Sequence, residues 1–353
     1  MGLMDGTYSY ADLVRRYGQF RVPACKLKVD GREVSGVGIE QVEATLALEG
    51  SSAVSFRVAG AYDRKKSGFR SEVKARLKLG ARVSLSLGYG SRLTEVFQGY
   101  IGSVEMEFAD EPTLSVTAMD VRRLMMEGSK REVVHTLTSY SAVFQEVMRN
   151  YSALCPGTEV DATKSGEISR IAQRTSDYNF VVANLAKKAE REFFVLNDKA
   201  YFREKGKVKS PVVTLRWGES LFSFSRRASY QNLKITVVGF DPENDKAVTA
   251  QTTATAGSSQ KSVGGWNEAV LTDPDAQETD KAKKRAQKEA QERRRRAREG
   301  SLRCVGLPEL VPGRFVAVKG LDSDLDQSYY IREVRHELSS DGFSTSLEIG
   351  EWK

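Results

Sequence analysis

Apolar and polar residues alternate with period two through much of the first third of the chain. Val42, Ala44, Leu46 and Leu48 alternate, then Val54, Phe56 and Val58, then Val83, Leu85 and Leu87, and then Leu114, Val116 and Ala118. Such a period gives each strand one buried and one exposed face, as in an antiparallel sheet or barrel. Turn residues separate the runs: Asp30-Gly31, Glu49-Gly50-Ser51-Ser52, Gly88-Tyr89-Gly90-Ser91 and Ala109-Asp110-Glu111-Pro112.

The period then changes. Ser139 or Ser141 is placed to cap a helix carrying Val143, Phe144, Val147, Met148, Tyr151 and Leu154 on one face. A second helix follows Ser176-Asp177, with Phe180, Val181, Leu185, Ala186 and Ala189. Glu192–Leu196 and Ala200–Arg203, joined by Asn197-Asp198-Lys199, read as a short hairpin. Residues 130–204 therefore read as an α+β insertion between β segments.

Strand-like runs resume at Val212–Arg216, Ser220–Ser225 and Leu233–Phe240. The stretch from Thr249 to Gly265, rich in Thr, Ala, Ser and Gly, reads as loop or irregular edge. Glu268, Asp273, Asp275, Glu278 and Asp280 then lead into a basic segment, and together they form one charged-helix candidate. Acids near its start and bases near its end suit the helix dipole. Ala282, Ala286 and Ala290 give it a narrow apolar seam, and Gly300 is its expected stop.

The last fifty or so residues echo an earlier segment. Leu79-Gly80-Ala81-Arg82-Val83-Ser84-Leu85 is similar to Val311-Pro312-Gly313-Arg314-Phe315-Val316-Ala317-Val318. Tyr100–Val104 aligns with Tyr330–Val334, and Ser115–Ala118 with Ser346–Ile349. Offsets that stay nearly constant across three strands predict two similar β units.

Composition narrows the class. With 353 residues, 40% hydrophobic and 29% charged, the chain is long and apolar enough for two or three folded domains. No apolar stretch approaches the roughly 18 residues of a membrane span. The N-terminus has no basic-then-apolar leader, and Gly6 stands where a myristoylation pattern needs Ser or Thr. Synthesis and assembly in the cytoplasm are expected. The net charge of +7 is local: Lys281–Glu299 holds ten basic and three acidic residues, and the rest balances. A nucleic-acid binder spreads its basic residues over a face, so nucleic acid is an unlikely partner. Cys25, Cys155 and Cys304 lie far apart, without the spacing of a zinc site or disulfide framework.

Catalytic frames are lacking. His135 and His336 sit in no hydrolase or zinc-protease motif and read as strand or junction residues. Asp322-Ser-Asp324-Leu-Asp326, with Glu333 at the twelfth position, has the outline of a calcium loop. Gln327 stands where that loop needs glycine, so an acidic hairpin loop is the better reading. Gly36-Val-Gly38 and Gly88-Tyr-Gly90 lack the continuation of a phosphate-binding loop. No catalytic, cofactor-binding or metal-ligating residue is nominated, and no cofactor is expected. The strongest charge signal is Arg293, Arg294, Arg295 and Arg296. These arginines read first as a solvated helix face or an intersubunit ion-pairing surface. An acidic partner, nucleic acid or an anionic membrane are the functional alternatives.

Several weak stretches together carry a family resemblance. They are Phe56–Asp63, Lys78–Gly90, Val96–Ile101, Leu114–Leu124, Ser176–Phe180, Leu215–Gly218 with Leu221–Ser225, and Gly306–Gly313. In these the chain resembles the phage late-control gene D proteins. That is the hub family of contractile phage tails, tailocins and related injection systems, similar to the hub part of VgrG-type proteins. The resemblance implies a mainly β fold: two similar antiparallel β-barrels of tail-hub type, an α+β insertion and a charged helix. The matching division is 1–129 for the first barrel, 130–204 for the insertion and 205–265 for strands completing barrel one and opening barrel two. The charged helix then takes 266–300 and the rest of the second barrel 301–353. It further implies a homotrimeric ring that joins a six-fold tube to a three-fold spike, with no enzymatic activity. A separate spike protein, the inner tube or tube-initiator protein and other baseplate proteins are the implied partners. Rival readings are a nucleic-acid or acidic-partner binding module using the basic helix, and a tail-associated cell-wall hydrolase.

Overall fold

The computed structural model describes residues 2–34, 38–129, 132–166, 168, 170–255 and 260–352. Gly36 and Val37 of the first glycine pair lie outside the described residues. The alternating runs become the strands Gly38–Ala47, Ala53–Ala59, Arg82–Tyr89 and Thr113–Met119. Their expected inward residues, from Val42 and Ala44 to Val116 and Ala118, are buried. Leu48 is the exception: its strand ends at Ala47, and Leu48 is half-buried beyond it.

Contacts divide the chain into two units, one of Met1–Ser223 with Arg303–Leu347, the other of Phe224–Leu302 with Glu348–Lys353. In the first, seven strands lie side by side and antiparallel. Their order is Ser328–Ser339, Gly38–Ala47, Ala53–Ala59, Thr113–Met119, Arg92–Glu107, Arg82–Tyr89 and Pro23–Val29. Phe315–Lys319 pairs antiparallel with Ser328–Ser339 and parallel with Pro211–Arg216. The fold is mainly β with antiparallel sheets, as the sequence predicts.

The repeat extends to individual hydrogen bonds. Arg82 faces Tyr100 in one hairpin, and the aligned Phe315 faces Tyr330 in the other. The Gly80 amide donates to the Ile101 carbonyl at 2.8 Å, and the Gly313 amide to the Ile331 carbonyl at 2.9 Å. Ile101 donates back to Ala81 at 2.9 Å, and Ile331 to Arg314 at 2.8 Å. Both glycines take the left-handed backbone, with φ +82° and +79°. The hairpins differ in their loops: Gly90-Ser91 closes the first ladder tightly, whereas residues 320–327 bridge the second.

The insertion follows most of its sequence signals, although its first helix stops at Arg149, leaving Tyr151 and Leu154 in the turn beyond it. Ser139 caps Tyr140–Arg149 through its hydroxyl, which accepts from the Ala142 amide at 3.3 Å. Ser176 caps the second helix in the same way through Asn179. That helix widens to π geometry over Phe180–Ala186 and stops where Glu190 turns left-handed. The hairpin Arg191–Leu196 and Lys199–Glu204 turns at Asn197-Asp198 and gains a third, parallel strand, Gly157–Val160. Phe144, Val147, Phe180, Leu185, Phe193 and Phe202 meet in one apolar core.

In the second unit, Lys246–Thr255, Asn232–Asp241 and Asn267–Thr272 form a three-stranded sheet with the charged helix Thr279–Arg296 on one face. Two expectations are corrected here. Much of the stretch read as loop is strand: Lys246–Thr255 pairs over ten residues with Asn232–Asp241. Its Val248, Ala250 and Ala254 face the helix while Thr249, Gln251 and Thr253 stay exposed, a period-two pattern that its small residues obscured. The helix is also shorter than expected at both ends: Asn267–Thr272, with Glu268, is a strand, and the helix runs only Thr279–Arg296, ending before Gly300, which lies in the strand Arg298–Val305. A Cβ on Gly300 would stand 2.4 Å from the Ser225 carbonyl oxygen, so this glycine permits close strand packing rather than stopping the helix. The alanine seam is as expected: Ala282, Ala286 and Ala290 are buried against Ile235, Val237 and Ala254.

Candidate functional site

The buried charges of the first unit brace its structure. Arg122 is fully buried where the turn after Ala47 meets the helix Val121–Met126. Its Nε donates to Asp120 Oδ2 at 2.9 Å, and its Nη1 to the Ala47 carbonyl at 2.9 Å. Its Nη2 reaches the Ser52 hydroxyl, also at 2.9 Å. Arg203 donates from Nε to Glu192 Oε1 at 2.9 Å and from Nη2 to the Gly313 carbonyl at 2.5 Å. The Tyr330 hydroxyl donates to the other Glu192 oxygen. This network ties the insertion's hairpin to the second copy of the repeated turn. Burial pushes the Glu192 carboxyl up against the pull of Arg203.

Both histidines have structural partners. His135 contacts Glu146 Oε2 at 2.8 Å and Gln173 Oε1 at 3.1 Å, and its ring stacks on Phe180. His336 lies in the strand Ser328–Ser339, fully buried, with Nδ1 at 2.9 Å from the Thr345 hydroxyl. Its pKa falls to about 4 because burial disfavours the charged ring. The acidic loop uses its carboxylates on its own backbone. Asp326 accepts from the Gly320 and Leu321 amides at 3.0 and 2.9 Å, and Asp322 from the Asp324 amide at 3.1 Å. Those amide bonds hold the Asp326 carboxyl below its usual range.

The four arginines fan around the end of the charged helix, since successive residues turn by about 100°. Arg293 donates to Glu289 Oε1 at 2.9 Å, and Arg294 to the Thr253 carbonyl at 3.1 Å. The Arg295 guanidinium stands 4.1 Å from the Trp352 ring centre, and Arg296 is exposed. The stripe that does share a face is Lys284, Gln287, Lys288, Gln291 and Arg294, which lines an open groove of about 360 Å³. Burial lowers the Lys288 pKa.

Sequence reading missed a second surface. The strand Arg92–Glu107 runs on past its buried part, and its exposed end with the following turn carries Glu105, Glu107, Asp110 and Glu111. None of these four forms an ion pair among the described residues. Exposed Phe108 anchors this tip, meeting Tyr62 and Phe69 edge-on at 5.6 and 5.5 Å. The only sequence signal was the density of acids inside an otherwise alternating run.

The model of the Alg8 N-terminal domain family matches residues 21–340. No curated protein matches the sequence. Among solved structures, the fold is similar to a tail protein from Neisseria meningitidis at TM-score 0.73 and 14% identity. That match covers 94% of this chain and 97% of the other. It is also similar to a 43 kDa prophage tail protein from Shewanella oneidensis at TM-score 0.70 and 16% identity, covering 93% and 98%. A third likeness is to an Escherichia coli component of the type VI secretion system, described as structurally similar to T4 bacteriophage tail proteins. There the TM-score is 0.58 and the identity 10%, covering 93% of this chain and 77% of the other.

Proposed function

The chain belongs to the Alg8 N-terminal domain family; from the fold that it shares with phage tail proteins we propose that it is a structural component of the tail or baseplate of a contractile injection machine. Within that machine it acts as the hub of late-control gene D type. Three copies form a ring that meets a six-fold tube on one side and a three-fold spike on the other. The observation that carries this reading is the duplicated hairpin, with Gly80 and Gly313 making the same hydrogen bonds in the same backbone conformation. Two like units per chain make six like units per trimer, which is what a symmetry adapter requires.

Its work is then done by interfaces and not by chemistry. The two buried histidines and the self-satisfied acidic loop fit a protein built for rigidity. The ring assembles in the cytoplasm and leaves with the particle, its partners being a separate spike, the inner tube or its initiator, and other baseplate proteins. Among the described residues no helix is long and apolar enough to cross a membrane. Imaging of purified particles tests the proposal. Three copies at the junction of tube and spike are expected; six copies stacked along the tube, or absence from the particle, would contradict it.

A further inference from the structure

We propose that the tip carrying Phe108 joins copies of this chain, the basic turn beside Phe108 on one copy meeting the acidic hairpin of the next. This rests on the ring reading above and supplies one of its contacts.

The tip is built from two adjacent hairpins of opposite charge. Tyr62–Asp63 pairs antiparallel with Gly68–Phe69, and the turn between them exposes Arg64, Lys65 and Lys66. Arg92–Glu107 pairs antiparallel with Thr113–Met119, and the end of that hairpin exposes Glu105, Glu107, Asp110 and Glu111. Phe108 bridges the two by meeting Tyr62 and Phe69 edge-on. It remains 67% exposed, and Met106 near it 45%. Three cations and four carboxylates thus share one tip with an uncovered apolar centre.

These charges are not paired within the chain. None of the seven forms an ion pair among the described residues, although the two hairpins touch through their aromatic rings. Both hairpins are held in shape. Asp63 Oδ1 accepts from the Lys65 and Lys66 amides at 2.9 and 3.3 Å, and the ladder of Ser103–Glu107 with Thr113–Thr117 supports the acidic side. Directly opposed residues share a face of a sheet, so Met106 lies on the side of buried Leu114, and Glu105 and Glu107 on the other side with Ser115 and Thr113.

The mixture of signs selects the occupant. A nucleic acid or an anionic membrane would be drawn to the cations and repelled by the carboxylates, and a cationic peptide would meet the reverse. A second copy offers both signs together with its own Phe108 and Met106, so every charged patch finds its complement. Two different patches make a heterologous contact, which repeats from copy to copy and closes into a ring when the rotation allows. Patches this close together on one chain coincide after a three-fold rotation only when they lie near its axis. The contact therefore gathers three tips around the axis of the ring. Each exposed ion pair is weak alone, and burial of Phe108 and Met106 adds to their sum.

Charge reversal of the full-length protein, followed by light scattering over a dilution series at low salt, tests the inference. The one-sided variants K65E/K66E and E105K/E107K are each expected to weaken self-association by about 30-fold, from two attractive pairs made repulsive. The chain carrying all four changes is expected to recover the wild-type association. Unchanged association in either one-sided variant, or no recovery in the combined one, would overturn this contact while leaving the ring proposal standing. Loss of spike binding in a one-sided variant, with self-association unchanged, would overturn it and assign the tip to the spike. A wild-type chain that never associates, alone or with a spike, would overturn both proposals.

Discussion

Gly80 and Gly313 occupy the same position in two hairpins, yet their surroundings differ. Both have positive φ, but a Cβ on Gly80 meets nothing within 4 Å, whereas one on Gly313 stands 2.8 Å from Arg203 Nη2. Gly80→Ala is therefore expected to cost about 1–2 kcal/mol, the backbone term alone. Gly313→Ala should cost more, since it also dislodges Arg203 from its carbonyl, and urea midpoints of the two variants measure the difference. His336 sets a pH dependence. Its folded pKa of about 4 lies below the unfolded value near 6.5, so the unfolded chain binds the extra proton first. Stability is therefore lost as pH falls from about 6.5 toward 4, by up to about 3 kcal/mol. His336→Gln should flatten that decline in denaturation curves taken at pH 7 and pH 5. At this scale the sequence was least legible: Glu192, Arg203 and Tyr330 lie far apart along the chain, and nothing in their spacing marks the network they form.

Strands with large apolar residues on one side were legible as elements, because Val54, Phe56 and Val58 reveal the period directly. Capped helices were legible too, since Ser139 and Ser176 mark their starts. Lys246–Thr255 was not, because its inward alanines and outward threonines differ little in polarity. The charged helix was found but both its ends were misplaced: the acids from Glu268 look like its first turns, yet Asn267–Thr272 is a strand, and Gly300 looks like a stop, yet its role is to let a neighbouring strand pass close. Small residues also set the helix packing. Ala286 is fully buried against the sheet, so Ala286→Leu is expected to destabilise the protein by about 1–3 kcal/mol through overpacking. Chemical denaturation followed by circular dichroism reads that loss. The four arginines were legible as a cluster but not as separate groups, because a linear run hides their fan around the helix axis.

Across the whole molecule, the repeated hairpins were the feature that sequence could reveal, since each aligned stretch carries its own glycine turn and alternating strand. The acidic tip and lysine groove were not, because each is assembled by an exposed fold feature and lacks a motif. An adapter built from two like units per chain works only as an oligomer, so the account stands or falls on association. The most direct measurement is native mass by light scattering in moderately high salt, alone and with a spike protein encoded nearby. The account predicts a three-chain mass, alone or once spike is added. A strict monomer under both conditions, with no spike bound, would contradict it.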